Sequence, residues 1–396
     1  MQTIQPKRIG RNERVLRGRD GWWYLGPSGI ARLTAAHLTA QGDLTDAAAR
    51  FLTERGLRKA RTCRVYQLTV LTSTDCNLGC GYCFQNTGQD PKGGSRPPRI
   101  EHARLTSETI GTALDFTGAR MAEGGFEHLS ITLFGGEPLL NPRGCRELLA
   151  RAADYGLVGA GMISNGTLLT PRVAAQLAEL GLRDVQITFD GDREQHDAVR
   201  VQRSGGGTFD TIVNNIALVS QAAPIRWNLR INLSHDSYLG VDKLLDRLAE
   251  QIDPARCSIG LAWVGDLGIG FANDLRHTGD VADLFVQWYR RAMGLGFGVS
   301  RPGASEVCWT CFYRDGRYGA VVSADGTLSS CWETAGRPDW QVGTTSEGYL
   351  PPAETDSRWV TCVSQYQQTE DSSVRETFRD TLHARLLDEL SAAGRL

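Results

Sequence analysis

The chain has 396 residues, 41% of them hydrophobic and 22% charged, with a formal net charge of −2. That apolar content builds a packed core and excludes a disordered protein, and the length suits one large domain with attachments or two to three modules. The balanced charge gives no reason to expect nucleic acid or a membrane surface as partner. No apolar run approaches a membrane span, and the basic start MQTIQPKRIGRNERVLRGRD lacks the apolar stretch of a secretory signal, so a cytoplasmic protein is expected.

Taken in chain order, residues 1–62 read as a small N-terminal α/β module. Trp22, Trp23 and Tyr24 follow a polar turn and predict a short strand. Helices are predicted over 30–39 and 45–55, the second stopped by Gly56. From residue 63 a new rhythm begins. Tyr66, Leu68 and Val70 alternate with polar residues as on a strand, and a cysteine-bearing loop follows. A helix over 107–122 ends at Gly124 and Gly125, and Leu129, Ile131 and Leu133 mark a second strand closing at Gly135 and Gly136. Helices after Pro142 and Pro171 lead to strands at 161–164 and 185–189. The helix over 209–221 precedes a strand at 227–233, and the helix over 241–252 precedes one at 258–264.

Six strands alternating with helices over 63–265 are the signature of βαβ units and a parallel sheet, wound as an open sheet or as a full or partial barrel. In barrels the chemistry sits on loops at the carboxyl ends of the strands, and the polar motifs of this chain fall at such ends. Over 266–396 the pattern changes. A helix at 281–293 is followed by a region rich in Gly, Trp and Cys with little periodicity. A closing helix over 371–390 has Ser373 and Glu376 as a capping box and Val374, Phe378, Leu382 and Leu386 on one face, which reads as packing on the barrel.

Ten cysteines in a large intracellular chain point to metal rather than disulfides. Cys76, Cys80 and Cys83 form one group and Cys308, Cys311, Cys331 and Cys362 another. Cys63, Cys145 and Cys257 are scattered and read as small buried hydrophobes. The first group is spaced C-x3-C-x2-C. A [4Fe–4S] cube needs four ligands, so three thiolates hold three irons and leave one corner open for chemistry. Gly79 and Gly81 are expected to let the loop wrap closely. A zinc site is the alternative, although zinc usually takes paired C-x2-C knuckles.

The triplet, with Tyr82 before its last cysteine, resembles the signature loop of the radical S-adenosylmethionine (SAM) superfamily. The resemblance covers roughly residues 64–235 and implies a partial (β/α)6, TIM-like barrel in which the open iron chelates SAM. Reductive cleavage of SAM would then give a 5′-deoxyadenosyl radical that removes hydrogen from a substrate. Leu133-Phe-Gly135-Gly136-Glu137-Pro138 resembles the GGEP motif of that family, which contacts the methionine amino group; Glu137 adds a carboxylate suited to an ammonium group. Ser164-Asn165-Gly166 resembles the family's motif beside SAM. Asp190-Gly191 with His196, Asp197 and Arg200 resembles its D-G…H-D-x-x-R segment, which implies Asp190 on the ribose hydroxyls and Arg200 on the SAM carboxylate. Arg230 and Asn232 are expected to face the cofactor as well, whereas His196 reads as a structural histidine rather than a base.

The second cysteine group, Cys308-Trp-Thr-Cys311, Cys331 after Gly326, and Cys362, supplies four thiolates. Its G-x4-C element resembles the SPASM or twitch domain, which carries auxiliary clusters, but in shortened form: four cysteines stand where a full domain has seven or more. One auxiliary [4Fe–4S] cluster is expected, with zinc, or a cluster keeping one open iron, as alternatives. Trp309, Trp332, Trp340 and Trp359 are expected to shield it, wall a groove or simply pack, and Glu333 is an acid/base candidate. The resemblance implies a precursor-peptide substrate (crosslinking, epimerisation or oxidation), with the Trp–Trp–Tyr strand helping to bind it. It also implies an electron donor such as a flavodoxin or ferredoxin. The alternatives are a small-molecule dehydrogenase or epimerase acting on an aminocyclitol or sugar, and a non-catalytic iron–sulfur scaffold or sensor.

Overall fold

A computed structural model describes residues 7–10, 12–60, 63–85, 100–265, 271, 273–304, 314–359 and 372–396. Cys308, Trp309, Cys311 and Cys362 lie outside the described residues. Among the described residues no helix is long and apolar enough to cross a membrane.

The chain opens with a four-stranded antiparallel sheet in sequential order: β1 (Lys7–Gly10), β2 (Glu13–Gly18), β3 (Gly21–Gly26) and β4 (Gly29–Leu33). The helix expected over 30–39 is instead β4 followed by a single 3-10 turn at Ala35–His37. The reason is non-local. β4 pairs along its whole length with β3, from Trp22↔Leu33 to Gly26↔Gly29, and pairing against an aromatic strand outweighs a weak helical preference. Both faces of β3 are buried. Trp22 and Tyr24 pack with Val15, Leu33 and Leu52 of α1 (Asp46–Glu54), whereas Trp23 packs with Leu16, Leu25 and Leu387 near the C-terminus. The Trp–Trp–Tyr strand, expected to help hold a peptide, is therefore core, with 3%, 3% and 0% of its side chains exposed.

The central sheet begins with β5 (Val65–Ser73), β6 (His128–Gly135), β7 (Leu157–Ser164), β8 (Leu182–Phe189), β9 (Arg226–Leu233) and β10 (Cys257–Trp263). Each pairs parallel with the next. Five helices form the crossovers: α2 (Ser107–Gly124), α3 (Pro142–Ala152), α4 (Pro171–Glu179), α6 (Phe209–Ala222) and α7 (Val241–Gln251), with the short α5 (Arg193–Val199) ahead of α6. Their starts are fixed locally. Thr106, Asn141, Thr170 and Asp192 each accept a hydrogen bond from a first-turn amide, and Pro142 and Pro171 occupy first-turn positions where no amide hydrogen is needed. The strands' inward residues and the helices' apolar faces merge into one core running from Tyr66 to Leu390. Stacking parallel strands in sequence puts all six carboxyl ends on one rim.

The sheet continues past this unit. β11 (Gly298–Val299) adds parallel to β10 after helix α8 (Gly279–Gly294). On the opposite side β12 (Gly319–Val322) pairs parallel with β5, and β13 (Thr327–Ser329), β14 (Gln341–Thr344) and β15 (Gly348–Tyr349) follow antiparallel. These short strands show no periodicity in the sequence. The C-terminal helix (Ser372–Ala392) sets Phe378, Leu382, Leu386 and Leu390 into the main core against α8, as expected of a packing helix, and Ala384 and Leu387 against the N-terminal sheet. Val374, expected on the same apolar face, is 38% exposed.

Candidate functional site

The rim at the carboxyl ends of β5–β10 surrounds a cavity of about 270 Å³. Cys76, Cys80 and Cys83 line it together with Tyr82, Gly135, Gly136, Ser164, Asn165, Arg200, Arg230, Asn232 and Glu333. Motif residues scattered over more than two hundred positions thus meet at one place.

The cysteine loop leaves β5 and is held from two sides. Backbone bonds run from Gly79 N to Val201 O and from Arg203 N to Asn77 O, tying the loop to the segment after α5. Asn165 donates through Nδ2 to Asn77 Oδ1 (2.8 Å) and reaches Cys76 Sγ at 3.8 Å, while the Leu78 amide points at the same sulfur (3.4 Å). Burial pushes the Cys76 thiol up to about 12 and the Cys80 thiol to about 11, so a bound metal would be what holds them as thiolates. Among the described residues, a Cβ at Gly81 would meet no atom within 4 Å, and one at Gly79 none closer than 4.0 Å. No packing among the described residues accounts for either lacking a side chain.

Gly135 and Gly136 have an internal reason. Gly135 adopts φ +135, and a Cβ there would stand 2.1 Å from Ser73 O. The Gly136 and Glu137 amides donate to Ser73 O and Asp75 O (2.9 and 2.8 Å), stitching this turn to the root of the cysteine loop. The Glu137 carboxylate, expected to meet a ligand's ammonium group, is fully buried and faces the protein. It accepts from the Asn165 amide (2.8 Å), the Leu139 amide (3.0 Å) and the Ser164 hydroxyl (2.9 Å). Burial raises its pKa against these bonds. Glu137 and Ser164 therefore order the turn, and Pro138, also buried, opens a 3-10 turn behind it. The surfaces this motif offers to the cavity are those of Gly135 and Gly136.

A polar cluster of side chains centres on Tyr82, within the loop itself. Its hydroxyl donates to Asp190 Oδ2 (2.8 Å) and accepts from Arg200 Nη1 (3.0 Å) and Asn232 Nδ2 (2.9 Å); Arg200 lies 3.6 Å from Asp190. Burial raises the Asp190 carboxyl, with the Arg200 guanidinium opposing it, and raises the Tyr82 phenol well above its ordinary value. Arg200 Nε is buried with no hydrogen-bond partner among the described residues. Arg230 donates from Nε to Asn232 Oδ1 (2.8 Å). His196 is fully buried, with Nε2 3.0 Å from the Thr208 hydroxyl and its ring between Phe189 and Phe209. Burial holds its pKa well below the ordinary value, which makes it a neutral structural histidine. Asp197 accepts the Thr208 and Phe209 amides and caps α6.

Trp332 and Glu333 reach the cavity from the turn after β13, next to the buried Cys331. Trp340 lines a separate cleft and Trp359 packs on Tyr349. Cys145 and Cys257 are buried as expected, whereas Cys63 is half-buried with its thiol directed at Val65 O. Sequence reasoning missed Gln85, Gln186, Thr188 and Trp263 in the lining. Period-two spacing along β8, from Gln186 through Thr188 to Asp190, was the available signal for two of them.

Residues 70–248 match the family model of the radical SAM superfamily. That segment is a radical SAM domain. Among curated relatives, Fe-coproporphyrin III synthase of Methanosarcina barkeri is 27% identical over 56% of this chain and 51% of its own length. Mycofactocin maturase MftC of Mycolicibacterium smegmatis is 33% identical over 43% and 36%. The chain thus spans about half, or less, of the curated relatives it matches. Among solved structures, native anSMEcpe with bound AdoMet superposes with a TM-score of 0.63 at 16% identity, covering 84% of this chain and 100% of that one. Streptococcus suis SuiB bound to S-adenosylmethionine gives 0.51 at 14%, covering 89% and 90%. The fold is the partial, TIM-like α/β barrel of radical SAM proteins.

A radical SAM domain implies a SAM-binding [4Fe–4S] cluster and SAM. The residues present fit both: three thiols on one cavity, and, among the described residues, glycines whose missing side chains no neighbour demands and a buried guanidinium nitrogen without a partner.

Proposed function

We propose that this protein is a radical SAM enzyme in which Cys76, Cys80 and Cys83 ligate the SAM cluster. When bound, cluster and SAM together supply a 5′-deoxyadenosyl radical that removes a hydrogen atom from substrate. The protein's own residues bind, orient and shield. Gly135, Gly136 and Asn165 offer the turn against which the methionine end of SAM lies, held in shape by Glu137, Pro138 and Ser164. Tyr82, Asp190, Arg200 and Arg230 form the polar wall for its carboxylate and ribose. The observation that carries this reading is the convergence of the cysteine loop with the ends of β6, β7, β8 and β9 on one cavity.

The substrate we infer is a precursor peptide, a reading supported by the relative named as a mycofactocin maturase. A small-molecule substrate is the second reading, favoured by the Fe-coproporphyrin III synthase match. Residues 266–396 would then form a shortened SPASM- or twitch-like domain, with Cys331 joining Cys308, Cys311 and Cys362 around an auxiliary cluster. Cys331 is 1% exposed and directly precedes two cavity-lining residues, Trp332 and Glu333. A cluster there would sit within reach of a substrate electron, and Glu333 would be placed for proton transfer. A flavodoxin or ferredoxin is the proposed electron donor.

The test is 5′-deoxyadenosine release from anaerobically reconstituted, dithionite-reduced protein beside a variant with all three loop cysteines changed to Ala. Release by the wild type alone supports the reading. Equal release by the variant removes it.

A further inference from the structure

Gln85 follows the cysteine loop by two residues and has only 4% of its surface exposed. It lines the same cavity as the three thiols, yet its side-chain Nε2 has no acceptor among the described residues. A buried donor left unpaired is costly, and native proteins almost always satisfy such groups. The backbone beside it is fixed: Arg337 donates from Nη2 to Phe84 O at 2.6 Å, anchoring this stretch to the segment after β13. Phe84 packs with Phe134 and Trp332, so Gln85 emerges from the apolar wall of the cavity. Tyr82, Arg200 and Asn232 line the same cavity. An amide held rigidly among aromatic side chains suits recognition of one oxygen atom on an otherwise apolar ligand.

We propose that Gln85 is a specificity-determining residue that donates through Nε2 to an amide carbonyl oxygen of the substrate, beside an apolar or aromatic side chain seated against Phe84, Phe134, Trp263 and Trp332. This rests on the peptide reading above and deepens it. A backbone carbonyl is the acceptor that every peptide carries, and the surrounding aromatic surface selects the side chain next to it. The Gly135–Gly136 turn and the Tyr82 cluster are the parts assigned to SAM above, so Gln85 is assigned to the substrate and not to the cofactor.

The test uses reconstituted full-length protein with SAM and a defined probe, N-acetyl-L-phenylalanine methylamide. N-acetyl-phenethylamine, which lacks the second carbonyl group, serves as its control. Binding is read directly by quenching of tryptophan fluorescence, since Trp263 and Trp332 line the cavity. Gln85→Glu keeps the size but removes the donor, and Gln85→Met removes both polar atoms. The expected result is that the wild type prefers the methylamide over the control by about tenfold and that both variants lose this preference. SAM affinity and iron content should stay within about twofold of wild type in each variant, a roughly twofold change being the small end of hydrogen-bond effects. A wild type with no preference for the methylamide overturns the proposal, as do variants that retain it or that weaken SAM binding in parallel. Release of 5′-deoxyadenosine is measured on the same samples. Its absence from the wild type would count against radical SAM chemistry, whereas its presence alongside an indifferent Gln85 would count against this inference alone.

Discussion

Gly136 and Asp75 approach so closely that a methyl group on Gly136 would stand 2.3 Å from the Asp75 carbonyl oxygen. Asp75 immediately precedes Cys76 and caps its amide through Oδ1 at 2.9 Å. The turn after β6 and the launch point of the cysteine loop are therefore one rigid piece. Gly136→Ala must push them apart, at a cost of about 1–3 kcal/mol. Less iron per chain after reconstitution, together with a lower unfolding temperature, is the expected outcome. Iron loading equal to wild type would mean that the loop does not depend on this contact.

Tyr82→Phe removes one oxygen that serves three polar side chains, Asp190, Arg200 and Asn232. Leaving buried polar groups without a partner costs about 1–3 kcal/mol. Equilibrium binding should show SAM affinity reduced by about tenfold, in line with that free-energy loss. The loss should be accompanied by intact iron content, because Cys80 and Cys83 keep their backbone turn. Unchanged SAM affinity would separate this cluster of side chains from the cofactor.

Cys331→Ala should lower iron by about four atoms per chain, one cluster's worth, while 5′-deoxyadenosine release persists. Zinc lost in place of iron would reassign the second cysteine group to a structural metal. Unchanged content of both would remove the auxiliary site.

His383 offers a pH-dependent prediction away from the cavity. It sits on the C-terminal helix with Nδ1 3.0 Å from Arg14 Nη2, and Arg14 in turn pairs with Asp380 at 2.7 Å. Burial, with Arg14 and Arg379 beside it, lowers its pKa from 6.5 to about 3. A base with a depressed folded pKa takes up its proton on unfolding, so stability is full above pH 6.5 and falls as the pH drops toward 3. At pH 5 the loss attributable to this residue is about 2 kcal/mol. Urea midpoints at pH 7 and pH 5 should therefore differ less in His383→Gln than in wild type. The Arg14–Asp380 pair is present in both proteins and cancels in that comparison.

The barrel was legible because its strands and helices are long enough to show their periods, and because Pro142, Pro171 and Gly124 mark boundaries chemically. β4 was not. Ile30, Ala31 and Leu33 become a strand only through pairing with β3, information that no local window holds. β12–β15 span two to four residues each, too short for alternation to register. Within the site, the residue types of the motifs were readable but their directions were not. Glu137 looks like a ligand group in sequence and is turned inward by the amides of Leu139 and Asn165. Gln85 carries no motif, and only the burial of its Nε2 without a partner among the described residues marks it.

The pairing of β12 with β5 has a consequence for the order in which the protein is made. The Tyr66 hydroxyl reaches Gly316 O, 250 residues further along the chain, and the adjoining strand covers an edge of β5 that nothing earlier in the sequence covers. A nascent chain that has already delivered all six parallel strands still presents that open edge, the kind of surface that recruits the wrong partner. Ribosomal pausing or truncation before residue 322 would leave the strand that carries the cysteine loop half-paired. On the proposed reading, loading of a cluster on that loop is expected to wait for β12, and fragments ending before β12 should aggregate rather than load.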